Sequence, residues 1–132
     1  MYGRVVREVK GLGVFSVRAT VWNPHNPSRK ADVELLVDTG ATYTVLPEEM
    51  LKKLDIPSIR LVRLRLADGR VLERPLGEAG IETDGFRATA TPVVFGVGET
   101  SLLGSVTMEQ LGVAPDPIEK RLKVVEALLM SI

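Results

Sequence analysis

Of the residues that could do chemistry in this 132-residue chain, Asp38 has the most telling setting. The segment Val33-Glu34-Leu35-Leu36-Val37 reads as a strand, which would deliver Asp38 to its end, where a carboxylate reaches a cleft while its backbone stays anchored. Gly40 leaves room for another backbone or a carboxylate to approach closely. Thr39 both donates and accepts hydrogen bonds, so it can hold the loop or tie it to a symmetry mate. On the bare tripeptide, an aspartate serving as a turn residue before glycine is the competing reading. Two further aspartates, in Asp68-Gly69 and Asp84-Gly85, are better explained as turns.

Other chemistries lack their parts. With no cysteine, disulfides, thiol nucleophiles and thiolate metal sites are excluded. His25 is the single histidine and lies in a polar turn between asparagines and prolines, so a Ser-His-Asp triad has no suitable imidazole. Metal catalysis has no His or Cys cluster to rest on, and no cofactor is expected. Asp-Thr-Gly followed by Thr also occurs in nucleotide-binding ATPases, but those need two large lobes that this length cannot hold, and no Walker-type phosphate loop is present.

Lys+Arg 17 balances Asp+Glu 17, which gives no broad electrostatic case for nucleic acid or anionic lipid. Arg60, Arg63, Arg65 and Arg70 cluster locally and read as a solvated hairpin face. No run approaches the roughly 20 apolar residues of a membrane span, and charge interrupts the first residues before signal-peptide length. A soluble, cytoplasmic protein is expected, with residues 1–132 as a single domain large enough to bury a core unaided.

The elements that must position Asp38 are mostly strands. Arg4 to Val9 and Val14 to Trp22 show period-two alternation. Asn23 to Ser28, with two prolines, reads as the loop of a wide hairpin before the return strand Val33 to Val37. Pro47-Glu48-Glu49 opens a short helix to about Leu54, since proline suits a first turn and carboxylates its positive end. Arg60 to Leu66 and Val71 to Arg74 flank Asp68-Gly69 as a hairpin. Gly80 to Thr83 and Phe86 to Ala90 flank Asp84-Gly85 as another, with Thr91 to Val97 continuing as strand. Thr107 is expected to cap a short helix that Gly112 ends. Arg121 to Ile132 fits either strand or amphipathic helix, and the alternation of Arg121-Leu122-Lys123-Val124 favours strand.

The stretch Leu36-Val37-Asp38-Thr39-Gly40-Ala41-Thr42-Tyr43-Thr44-Val45-Leu46 closely resembles the active-site segment of retropepsin-like aspartic proteases. Ser101-Leu102-Leu103-Gly104, followed by Met108-Glu109-Gln110-Leu111-Gly112, resembles that family's second apolar-plus-glycine motif and its short helix. Leu66-Ala67-Asp68-Gly69-Arg70-Val71 falls where the family places its flap. The likeness covers roughly Val14 to Gly112 and is more similar to cellular bacterial or archaeal members than to viral ones. Two positions depart from the viral pattern: Ser105 stands where retroviral members carry arginine, and the flap lacks a glycine-rich tip.

The resemblance implies a mostly β, single-lobe acid-protease barrel with one or two short helices, closing its active site as a two-fold homodimer. It implies Asp38 as the catalytic carboxylate, supplied twice, with Thr39, Gly40 and Ala41 supporting the active-site loop and contacting substrate backbone. Asp68 and Gly69 would form the flap tip over an extended peptide or protein substrate. The competing expectation is a dimeric peptide-binding module that keeps the fold without turnover.

Overall fold

A computed structural model describes residues 15–129. Eleven elements follow one another: β1 (Ser16–Asn23), β2 (Asn26–Val37), β3 (Thr44–Pro47), α1 (Glu48–Lys53), β4 (Arg60–Arg65), β5 (Val71–Thr83), β6 (Phe86–Gly96), β7 (Leu102–Leu103), α2 (Ser105–Leu111), β8 (Val113–Asp116) and β9 (Arg121–Val124). The protein is mostly β, as its alternating pattern implies. The expected strand over 4–9 lies outside the described residues, as does the end of the chain at 130–132.

Seven strands form one sheet in the order β1-β2-β7-β3-β6-β5-β4, and β5 also pairs with β1, so the sheet curls round and closes on itself. Closure protects strand edges that would otherwise invite pairing with other chains. Among the described strands of this sheet, only β4 pairs with a single neighbour, β5. The curl is helped by a register shift between Ala79 and Ile81 in β5. There Trp22 lies flat on Gly80, so close that a Cβ at position 80 would sit 2.0 Å from the indole.

The strands next to the site are buried on both faces. Leu46, Val93 and Leu103 point into the larger core with Val21, Leu35, Leu51, Ile81 and Met108. Their chain neighbours Val45, Val94 and Leu102 point the other way, into a smaller cluster with Val62 and Leu76. Two-sided burial explains why β3, β7 and the end of β6, Val93 to Phe95, read as continuous apolar stretches rather than alternation. Each fully buried leucine or valine stabilises the fold by roughly 1.5–3 kcal/mol.

Three local expectations need correction or extension. The wide loop over Asn23 to Ser28 is instead a tight turn at Pro24 and His25, with β2 beginning at Asn26. Trp22 pairs with Lys30 and Asn23 with Asn26, so Pro27 falls in the intervening bulge, where no ladder N–H is required of it. The turn is held by Asn23, whose Oδ1 accepts from the His25 N–H at 2.8 Å. Thr107 does not cap α2: the N-cap is Gly104, and Thr107 is buried in the helix. Of the strands flanking Asp84-Gly85, β6 spans nearly the expected 86–97, whereas the expected pieces at 71–74 and 80–83 join through 75–79 into one long β5.

Helix α1 forms as its composition dictates, with Pro47 as N-cap, Glu48 and Glu49 in the first turn, Lys52 and Lys53 in the last, and Leu51 in the core. Gly112 ends α2 in the left-handed region at φ 73°, where glycine costs little. The final segment forms β9 at Arg121–Val124 and pairs with β8, while 125–129 has no regular structure. No helix among the described residues is long and apolar enough to cross a membrane.

Candidate active site

Asp38 sits one residue beyond β2, on a loop that crosses over β7. Leu36 and Val37 pair in parallel with Leu102 and Leu103, and Val45 of β3 pairs antiparallel with Leu102 from the other side. β7 is therefore clasped between the strand that enters the loop and the strand that leaves it. The Asp38 N–H donates to the Leu103 carbonyl at 3.0 Å, which anchors the backbone under the carboxylate.

The loop then folds back on the aspartate. The Gly40 N–H donates to Asp38 Oδ1 at 2.9 Å, and the Ala41 N–H donates to the Asp38 carbonyl at 3.1 Å. A Cβ on residue 40 would lie 3.2 Å from Oδ1, tighter than ordinary contact, so glycine lets the amide come this close. Oδ2 has no hydrogen-bond partner among the described residues. One carboxylate oxygen is thus oriented by the chain and the other is without a described partner. Asp38 is half-buried, while Thr39 and Gly40 are exposed and open to a partner.

Helix α2 braces the loop from behind. Its first N–H groups have no acceptor within the helix. Ser105 and Val106 donate theirs to the Ala41 and Thr42 carbonyls, at 2.8 and 3.0 Å. Gly104 must come against the backbone of Tyr43 for this to happen: a Cβ at 104 would sit 2.4 Å from the Tyr43 carbonyl carbon. The Gly104 N–H donates to Thr44 Oγ1 at 3.1 Å. That hydroxyl lies 2.6 Å from Thr107 Oγ1, which lies 2.8 Å from Thr91 Oγ1. All three threonines are fully buried, so β3, α2 and β6 meet in a closed chain of hydroxyls beneath the loop.

These threonines carry no signal in the sequence. Thr44 and Thr107 are 63 residues apart, and only the fold brings them together. The same holds for the apolar wall beside the loop, where Leu36, Ala41, Tyr43 and Leu64 pack against the smaller core cluster. Leu46 and Val94, which could have lined a pocket, are core residues with no exposed surface.

The β4–β5 hairpin is the element that the resemblance implies as a flap. Its tip closes with Gly69 at φ 91°, the Gly69 N–H donating to the Leu66 carbonyl at 2.9 Å. Asp68 is a turn residue: its carboxylate accepts from the Arg70 N–H at 3.0 Å and from Arg70 Nε at 2.6 Å. Those contacts, the backbone N–H first, hold its carboxyl below the ordinary value. Asp84 and Gly85 both take positive φ, at 51° and 83°, as a tight hairpin turn requires. The underside of the flap hairpin reaches the loop through Val62 and Leu64, which join the cluster containing Ala41 and Tyr43.

The base of this hairpin is pinned by Arg74. Its Nε donates to the Phe95 carbonyl at 2.8 Å and its NH2 to Glu48 Oε1 at 2.5 Å. Glu48 also meets Lys52 at 2.8 Å. The hydrogen bond from Lys52 and then that from Arg74 hold the Glu48 carboxyl below its usual range. Among the described residues no group of three His, Cys, Asp or Glu side chains lies close enough together to hold a metal ion.

The whole site lies inside one stretch of similarity to known proteins. Residues 17–117 match a family model described as Aspartyl protease, from β1 to just past β8. A comparison with curated proteins returns no match.

Proposed function

This chain belongs to the aspartyl protease family, and from that premise we propose that it hydrolyses peptide bonds as a homodimer whose two copies of Asp38 form the catalytic pair. The observation that carries the reading is the setting of Asp38: one oxygen is fixed by the Gly40 N–H and the other accepts no hydrogen bond from any described donor. A single carboxylate cannot both activate water and protonate a carbonyl. Neither Asp68, locked to Arg70, nor Asp84, in its tight turn, is placed to serve as the second. The second comes from a two-fold mate, in an isologous contact that presents the same loop from both sides.

In that pair two carboxyls about 3 Å apart resist double ionisation and share one proton, a behaviour for which aspartic proteases are the standard example. The ionised Asp38 takes a proton from a bound water as its oxygen attacks the peptide carbonyl carbon. The protonated Asp38 gives its proton to the carbonyl oxygen, yielding a neutral tetrahedral diol. Collapse returns a proton to the amide nitrogen and breaks the C–N bond. Thr39, exposed at the loop, bonds across the axis, and Gly40 and Ala41 pass close to the substrate backbone. The Asp68-Gly69 hairpin closes over an extended peptide bound as an added strand.

The test is Asp38→Asn. The variant should fold and dimerise as the parent does, by circular dichroism and sedimentation, while releasing no new ends from a diverse peptide pool. Turnover equal to that of the parent would overturn the assignment. Activity should be best at acidic to mildly acidic pH, because one member of the pair must keep its proton. A rate still climbing above about pH 8 would be incompatible with a shared proton.

A further inference from the structure

The charge of the chain is unevenly placed, and the imbalance lies on the flap. Residues 60–74 carry Arg60, Arg63, Arg65, Arg70 and Arg74 against Asp68 and Glu73, a net +3, which leaves −3 on the remainder of a neutral chain. Two of the five arginines are neutralised, Arg70 by Asp68 and Arg74 by Glu48. Arg60, Arg63 and Arg65 are exposed and make no ion pair among the described residues. Arg63 stands directly across the ladder from Glu73 without pairing to it. These three cations lie on β4, the end strand of the sheet order, whose outer edge meets no other described strand.

Their placement is relevant to the cleft. β4 alternates, so Arg60 shares the face of Val62 and Leu64, the two residues that pack towards Ala41 and Tyr43. Arg63 and Arg65 lie on the opposite face, at an edge that pairs with no other described strand, and Arg65 Nη1 donates to the Gly69 carbonyl at 3.1 Å. The cleft wall beneath is apolar, formed by Leu36, Ala41, Tyr43 and Leu64, with Asp38 as the acid on its loop. A cleft bordered by one sign of charge over low-dielectric walls concentrates ligands of the other sign.

We propose that the arginines of β4 make this site selective for acidic peptide segments, with apolar residues at the centre and Asp or Glu flanking them. The inference rests on the peptide-cleft reading above and names the substrate class for it. Selection is by field rather than by one pocket, because the guanidinium groups are spread along the strand. It should therefore fade with salt, since the Debye length is about 8 Å at physiological ionic strength and about 3 Å at 1 M.

Binding separates this inference from catalysis. Full-length Asp38→Asn protein is titrated against two fluorescent peptides that share an alanine and leucine core, one flanked by glutamates and the other by lysines. The acidic peptide should bind about tenfold more tightly at low salt, a modest share of what charge steering achieves. That ratio should collapse towards one at about 1 M salt. Arg60→Glu combined with Arg63→Glu turns the hairpin from +3 to −1, and should invert the preference. Equal affinities in the parent, or a preference that salt and the charge reversal leave untouched, would overturn the proposal. If the native chain binds the acidic peptide selectively yet cleaves nothing, the hydrolytic reading fails and the selectivity stands.

Discussion

At the scale of single residues, the carboxylate is prepared by groups that are themselves uncharged. Asp38, Thr39 and Gly40 are legible in the sequence because their requirements are local: a strand to deliver the acid, then a residue small enough for the amide to turn back onto it. The hydroxyl chain beneath them is not legible, because Thr44, Thr91 and Thr107 meet only through the fold. Thr107 was readable as a cap from its place near a helix start, and its hydroxyl is spent in the interior instead. Thr107→Val keeps the shape and leaves the Thr44 and Thr91 hydroxyls short of a partner, at a cost of about 1–3 kcal/mol. Melting temperature should fall, and kcat should fall more than KM rises, since Thr44 also holds the Gly104 amide at the back of the loop. Thr107→Ser should restore both. A variant that melts early with an unaltered kcat would limit the hydroxyls to stability. Gly104→Ala is harsher, because its Cβ meets the Tyr43 backbone and no flexible side chain can yield. A loss of about 3 kcal/mol or more in denaturant unfolding is expected.

At the scale of elements, tight turns and short helices were the readable parts. Asp68-Gly69 and Asp84-Gly85 specify their hairpins through backbone angles that few other residues adopt. Strand lengths were less readable: β2 runs through Pro27 because a bulge removes the need for its N–H, and no local pattern announces a bulge. The link between elements at Glu48 and Arg74 was equally invisible, being formed by groups 26 residues apart. It ties α1 to the base of the flap hairpin and has a consequence for acid conditions. The Glu48 carboxyl is held below its ordinary value of 4.5 by Lys52 and Arg74. A carboxyl lowered in the folded state contributes stability that is complete above its unfolded value and lost as pH falls through the folded one. Comparing the parent with Glu48→Gln by thermal melts between about pH 3 and 7 isolates this from the other acids. The parent should melt higher above about pH 4.5, and the gap should close on the acid side. A gap that widens with acid would reverse the sign and remove Glu48 from the role. Flap anchoring should therefore loosen at the acidic end of the working range.

At the scale of the whole molecule, one closed sheet carries one Asp-Thr-Gly loop, and the proposed chemistry, which needs two carboxyls, would make assembly part of the reaction. The mostly β fold and the single Asp-Thr-Gly of these 132 residues were legible together, because period-two alternation and a strand running into the acid are both local patterns. Which surface would pair was not legible, since an isologous contact sets one residue against a different residue of the mate and that one back against the first, a match made by surfaces the fold assembles and not by neighbours in sequence. Mixing exposes the requirement directly. When parent and Asp38→Asn chains are combined in equal amounts and exchange freely, random pairing leaves about a quarter of the dimers with two intact aspartates. The number of dimers has doubled, so the rate from a fixed amount of parent should fall to about half. Chains that work alone would keep their full rate in the mixture. The same logic applies on dilution: where monomer predominates, the initial rate should follow the square of chain concentration, because the dimer population does. A rate that stays proportional to concentration through the dissociation measured by sedimentation would place both catalytic groups within one chain, and Asp38 would then need a partner that this fold does not bring to it.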